Sequence, residues 1–290
     1  MELIYKIKKP ETITRFMHEN NIPLKLVQIE NGISQIMINH DLKTKNDTIK
    51  KGDTLRIMIL DEQIDKTIVK QNIPLNILYE DEYVLIVNKP ADMQIMVSKA
   101  HPEGTLANGI NYYYEKNKIN SKIYLVNRLD KETSGLVMIA KNRFIKFLFS
   151  EKTDSTINRE YYAILDGILD AKKNCIDLPI NRVDGSIKRE VVLNGEDCVT
   201  NYQVIKEFKG YSLVKVLIET GKTHQIRVHF SHFSYPIVGD DLYNQKRYQV
   251  EQMLLFSYKI SFHHPIKDQL VEVELDLPES FTHFMKKNGA

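Results

Sequence analysis

The sequence predicts an α+β fold with a largely antiparallel sheet, on three observations. Short strand-like runs recur from Tyr83 onward, at Tyr83–Asn88, Tyr124–Val126, Leu136–Ala140, Tyr161–Leu165, Tyr211–Glu219 and Gln225–Phe230. Helical candidates are interspersed at Thr105–Glu115 and Arg143–Glu151. Many of the connections are too short for the βαβ crossovers of a parallel sheet. At 290 residues the chain has room for about two domains and a sizeable core. It carries no internal repeat and no low-complexity tract.

The N-terminal elements follow in order. Thr12–Asn20 suits a short helix, and Ile33–Asn39 alternates as a strand. Lys51-Gly-Asp53 turns the chain into Thr54–Leu60, a further strand. Residues 1–60 therefore read as a separable unit. Asp61–Asn72 is polar and Pro74 follows, so residues 61–74 read as a linker and residues 75–290 as a second domain.

Bulk properties exclude little. Lys+Arg number 40 against Asp+Glu 38, a net charge of +2, so any nucleic-acid contact must come from local placement of cations. Cys175 and Cys198 lack neighbours at zinc-ligand spacing and read as two unpaired thiols. Adjacent His263 and His264 would point to opposite sides of a strand, so no metal site is expected. No signal peptide is evident, and no apolar run approaches the ~18 residues of a membrane span. A cytoplasmic protein with no membrane contact is the expectation.

Chemistry concentrates in Val126-Asn-Arg-Leu-Asp-Lys-Glu-Thr-Ser-Gly-Leu136. Asp130 lies in a polar connection between two strands, where Thr133, Ser134 and Gly135 can fix backbone direction. If Arg128–Asp130 is extended, its guanidinium and carboxylate share one face. A second segment, Glu219-Thr-Gly-Lys-Thr-His-Gln-Ile-Arg-Val-His229, is followed by Pro236-Ile-Val-Gly-Asp240. Together with Val87-Asn-Lys-Pro90, Arg159-Glu-Tyr-Tyr-Ala163 and Phe262-His-His-Pro265, these segments resemble the RluA/RluD-type pseudouridine synthases over the last three quarters of the chain. Gly52-Asp-Thr-Leu-Arg-Ile57 resembles the close of an S4-like RNA-binding domain, with Arg15, His18 and Lys25 as phosphate candidates. The resemblance implies a mixed-sheet pseudouridine synthase catalytic domain preceded by a small S4-like α+β domain.

Pseudouridine formation breaks the uridine N-glycosidic bond, turns the base and rejoins it through carbon 5, so no cofactor is expected. By resemblance Asp130 is the catalytic aspartate. Attack on ribose, addition to the base and removal of a ribose proton all stay open for it. An ionised carboxylate suits any of these roles. Its reference pKa is about 3.9, which a nearby arginine lowers by ~1–3 units. The resemblance assigns that partner to Arg227, and alternation in a Gln225–His229 strand would put Gln225, Arg227 and His229 on one face. Tyr161 matches the tyrosine that lies against the target base, which leaves Tyr162 for the core. Arg128, which would hold displaced phosphate or fill the vacated stack, joins Lys222, Arg159 and Leu255 as implied substrate contacts. Lys222 stands where arginine is common and loses bidentate geometry.

Three departures from the family pattern are visible. Asn127 replaces a common His and should tune the site only. Gln94-Ile-Met-Val-Ser98 replaces a His-Pro-Ser ending, and Phe256 stands where His is frequent. The expected partner is RNA, ribosomal RNA ahead of transfer RNA, bound by a monomer. A silent RNA-binding or ribosome-assembly factor on the same fold is the main alternative. A glycoside hydrolase would need a second carboxyl group at a set distance, and Glu132 beside Asp130 is expected to point away.

Overall fold

The computed structural model describes residues 2–20, 22, 35–59, 63–150 and 157–290. Among the described residues, the first unit packs a helix on a four-stranded antiparallel sheet. Its elements are β1 (Glu2–Lys6), β2 (Glu11–Thr12), α1 (Ile13–Glu19), β3 (Gln35–Ile38), β4 (Asp41–Lys43), β5 (Thr48–Ile49) and β6 (Thr54–Met58). The sheet runs β1-β6-β3-β4, with β2 and β5 paired separately. Thr12 caps α1 by accepting the Arg15 N–H at 3.3 Å, and Ile13, Phe16 and Met17 form its buried face. Exposed Arg15 is paired with Glu19 at 2.9 Å, His18 is exposed, and Lys25 lies outside the described residues.

Residues 63–74 carry little regular structure but are not loose. Asn111 donates to the carbonyls of Asp65 (3.0 Å) and Ile68 (2.7 Å), and Asn108 to that of Val69 (2.8 Å). Both asparagines belong to a helix beyond the segment, which ties it down where composition reads only as polar.

The second unit is built on a ten-stranded mixed sheet. Its elements are β7 (Asn76–Glu80), β8 (Val84–Lys89), α2 (Leu106–Lys116), β9 (Tyr124–Leu125), β10 (Ser134–Ala140), α3 (Arg143–Leu148), β11 (Ile157–Asp166), β12 (Lys173–Asp177), β13 (Ile180–Arg182), β14 (Arg189–Val191), β15 (Val199–Phe208), β16 (Tyr211–Ile218), α4 (Gln225–His232), β17 (Leu255–His263), β18 (Leu270–Glu274) and α5 (Glu279–Lys287). The order β12-β15-β16-β11-β17-β10-β8-β7 is antiparallel except at β10–β17. That pair matches only Ser134 with Phe256 and Gly135 with Ser257. Beyond it β17 diverges to pair with β18, and β9 takes its place beside Ile139 and Ala140. Every residue of β10 is buried, as a central strand covered on both faces requires.

Ile13, Met17, Ile49 and Leu55 of the first unit belong to the same apolar cluster as Val84, Ile86, Leu136 and Met138 of the second. Among the described residues, no helix is long and apolar enough to cross a membrane.

One element departs from expectation. Gln225–Phe230, read as a strand, is the first part of helix α4. Its alternating polar and apolar residues imitate period 2, but Ile226 and Phe230 at i and i+4 share one helical face and enter one cluster. All six residues from Gln225 to Phe230 are buried. Burial on every side hides the polar face that would have given the helix period away.

Candidate active site

Asp130 is held out of the sheet by backbone geometry around it. Val126 N–H still donates to Met138 O (2.8 Å), but at Asn127 the side chain takes over from the backbone. Buried Asn127 accepts the Met138 N–H at 2.7 Å and donates to Leu136 O at 3.0 Å. Both halves of the amide are thus spent on β10, and the chain is free to leave the ladder toward Asp130. The role of Asn127 is to anchor this loop. Leu129 packs against two apolar clusters, fixing the loop from below. A turn then closes with Thr133 N–H donating to Asp130 O (3.2 Å).

Glu132 does not point away: its Oε2 lies 3.4 Å from Arg227 Nη1, the nitrogen that also reaches Asp130 Oδ2 at 3.1 Å. Arg128 is exposed and pairs with nothing among the described residues.

Arg227 comes from α4, whose geometry separates the three residues expected on one face. Gln225 and His229 lie one turn apart and face β15. Gln225 donates to Val199 O and Thr200 Oγ1, and His229 meets Thr200 Oγ1 and Leu178 O, both at 2.9 Å. Arg227, two residues from each, emerges on the other side. Its principal partner is Asp240, absent from the expected set. Nε and Nη2 each donate to Asp240 at 2.8 Å, a bidentate fork, and only Nη1 remains for Asp130. Arg227 is 3% exposed and Asp240 is 1% exposed. Asp240 Oδ1 also accepts the N–H groups of Leu242 and Tyr243. Burial alone would lower the Arg227 pKa, but Asp240 and then Asp130 outweigh it and raise the value. The guanidinium is a fixed positive charge aimed at Asp130.

Two further residues flank the carboxylate. His224 adopts the left-handed region, φ 60°, at the start of α4. Its Nε2 is 3.9 Å from Asp130 Oδ2, and its Nδ1 is 2.8 Å from the Tyr243 hydroxyl. That hydroxyl accepts the Arg189 N–H at 2.7 Å, which leaves its own proton for His224 Nδ1. Burial lowers the His224 pKa, with Asp130 opposing. The neutral ring therefore presents its Nε2 proton toward Asp130. The Tyr243 ring also lies under Arg227, 5.3 Å from the guanidinium carbon. Only the position of His224 beside Arg227 in one segment hinted at either residue.

The remaining expected residues surround this core. Tyr161 is buried in the cluster that holds Ile226, Phe230 and Leu255, while Tyr162 stacks on Tyr258 at 4.0 Å across the sheet. A bulge at Tyr258 sets this register, because Glu160 pairs with Lys259 but Tyr161 with Ser257. Burial raises the Tyr161 pKa, with Arg159 opposing and Asp130 adding to it. Leu255 is itself buried at the floor of that cluster. Arg159 reaches Glu219 O at 3.4 Å beneath the Gly221 turn, and Lys222 pairs with Glu196 at 2.7 Å.

Lys89 braces the Asp130 loop from behind. It is wholly buried, and its ammonium spends three hydrogen bonds on the carbonyls of Pro90 (2.8 Å), Met93 (2.9 Å) and Lys131 (3.0 Å). Burial pulls its pKa down to about 8, against the pull of Glu132, Asp92 and Asp130. The unfolded chain keeps this proton up to about pH 10.4. Between those values the unfolded state binds more protons than the folded one, so stability rises with pH. Urea unfolding at about pH 7.5 and 9.5 should show wild type gaining about 1–2 kcal/mol over Lys89→Met. Equal pH dependence in both proteins would refute the assignment.

The geometry sets the partly exposed Asp130 carboxylate against a fixed, buried cation, and comparison with known proteins identifies its setting. Residues 83–232 match the family model described as RNA pseudouridylate synthase. The chain is 34% identical over 278 residues to the uncharacterized RNA pseudouridine synthase YjbO of Bacillus subtilis, covering 95% of this chain and 98% of that one. It is 34% identical over 275 residues to ribosomal large subunit pseudouridine synthase D of Buchnera aphidicola, covering 88% and 86%. The solved human RNA pseudouridylate synthase domain containing 1 has the same fold, with a TM-score of 0.58 at 22% identity over 76% of this chain and 96% of that one. With Asp130, Arg227 and their frame falling in or beside the matched region, this chain belongs to the RluA/RluD-type RNA pseudouridine synthases, isomerases that convert uridine in RNA to pseudouridine.

Proposed function

We propose that this enzyme modifies ribosomal RNA as a monomer, with Asp130 as its catalytic carboxylate. The observation that carries the reading is the 3.1 Å contact between Asp130 and the one Arg227 nitrogen that Asp240 leaves free. The reaction breaks the bond from ribose C1′ to uracil N1 and forms one from C1′ to C5. The C5 proton is released, and N1 gains one. Asp130 supplies the ionised oxygen, held in place by Arg227 and faced by the His224 Nε2 proton. Tyr161 backs the pocket that retains the detached base. Because a paired base is out of reach, the uridine is turned out of its helix at a cost of a few kcal/mol. Arg128, exposed and without a partner among the described residues, is assigned the displaced strand.

The ribosomal assignment rests on relatives named for the large ribosomal subunit. Residues 1–60 are assigned an S4-like RNA-binding role, residues 61–74 the connection and residues 75–290 the chemistry. Tritium release from RNA labelled at uridine C5, measured separately on ribosomal and transfer pools from cells lacking the enzyme, tests the substrate. Release from the ribosomal pool is expected. Release confined to transfer RNA would overturn that part of the reading.

A further inference from the structure

A cationic cleft of about 230 Å³ lies between the β13–β14 hairpin and the Gly221–Thr223 turn. Its polar lining is Asn181, Arg182, Arg189, Glu196, Lys222 and Thr223. Arg182 and Arg189 are directly opposite each other in the hairpin register, so two like charges stand on one face of a two-stranded ribbon. Such a pair is destabilising in isolation. Lys222 adds a third cation from the facing wall, and Glu196, its partner, is the single carboxylate.

The two arginines are also under-used. Arg182 Nε is fixed by Ser186 O at 2.8 Å, and its two terminal nitrogens have no protein partner among the described residues. Arg189 Nη1 is buried with no hydrogen-bond partner among the described residues, which is unusual for a donor that cannot lose its charge. Opposed guanidinium groups with spare donors are the arrangement that a bridging phosphate satisfies.

The cleft is wired to the reaction centre. Arg189 N–H meets Tyr243 Oη at 2.7 Å, Tyr243 Oη meets His224 Nδ1 at 2.8 Å, and His224 Nε2 faces Asp130 at 3.9 Å. Thr223, on its wall, directly precedes His224.

We propose that this cleft binds a backbone phosphate of the RNA strand that carries the target uridine, with Arg182 and Arg189 as the paired donors. The inference rests on the enzyme acting on RNA, since a polyanion held at Asp130 brings its own phosphates to the adjoining wall. Inorganic phosphate or a free nucleotide shares the chemistry, and the test separates these sources.

Arg182→Gln/Arg189→Gln is compared with wild type for binding to in vitro transcribed large-subunit ribosomal RNA across about 50–200 mM salt. The slope of log affinity against log salt should become shallower by about 1, with affinity about tenfold lower at intermediate salt. Arg182→Gln alone, at an exposed position that spares the fold, should give about half the slope change. Lys206→Gln/Lys209→Gln removes equal charge at the β15–β16 turn and should leave the slope unchanged. An unchanged slope in the arginine variant, or an equal change in the lysine control, overturns the proposal. So does stabilisation of wild type by inorganic phosphate together with RNA binding indifferent to both arginines. These measurements need binding only. A protein that binds in this way but releases no tritium would refute the assigned chemistry and leave the cleft in place.

Discussion

Asp240→Ala is expected to destabilise the protein by about 3–5 kcal/mol, the usual consequence of stranding a buried charge. Arg227 would lose both ends of its fork while remaining 3% exposed, with only the single contacts to Asp130 and Glu132 to compensate. The backbone N–H groups of Leu242 and Tyr243 would lose their acceptor as well. Arg227→Met/Asp240→Asn removes both charges but keeps an oxygen for those two groups. Chemical denaturation should find the double variant more stable than Asp240→Ala, a non-additive result that identifies the pair as one unit. Both proteins should nevertheless be inactive, because neither presents a fixed cation to Asp130. A double variant that folds well and retains activity would show that Arg227 serves stability alone.

Gly135→Ala should be almost as damaging, for reasons of space. Gly135 has φ +113°, and a Cβ there would stand 2.2 Å from Ser257 O and 2.7 Å from Ser257 N. Those atoms are β17 backbone in the two-residue parallel ladder, so no side-chain movement relieves the clash. Strain of about 1–3 kcal/mol from the backbone angle adds to the separation of two central strands. A total of about 3 kcal/mol would lower the melting temperature by roughly 6–12 °C. Gly185→Ala is the comparator, since its φ is +70° with nothing within 4 Å of the added carbon. It should lose only the angular part. Equal melting shifts would mean that backbone angle, not strand contact, fixes glycine at 135.

These two residues mark where sequence reading succeeded and where it stopped. Thr133-Ser-Gly135 is legible as a turn signal, but nothing local announces that Gly135 must let β17 approach, because Ser257 is far along the chain. Asp130 and Arg227 are legible because their segments have unmistakable spacing, and the fold brings them to 3.1 Å. Asp240 closes the Pro236–Asp240 segment, but nothing local announces its pairing with Arg227. Its burial is a tertiary property. Helix α4 carries the strand period because its first six residues alternate polar and apolar and are all buried. Lys89 in an Asn-Lys-Pro segment gives no sign of burial, since its three acceptors come partly from Lys131, 42 residues away. Nothing local shows that the Asn127 amide is spent on the backbone of β10, because its partners lie 9 and 11 residues on.

The most direct test of the account is tritium release by Asp130→Asn from ribosomal RNA labelled at uridine C5, beside RNA affinity and melting temperature for the same protein. Asparagine keeps the side chain's size and an oxygen toward Arg227 Nη1, but removes the charge. Wild-type affinity and a stability within about 1 kcal/mol of wild type are expected, with no release above the blank. Release at a rate comparable to wild type would contradict the central claim that Asp130 carries the chemistry.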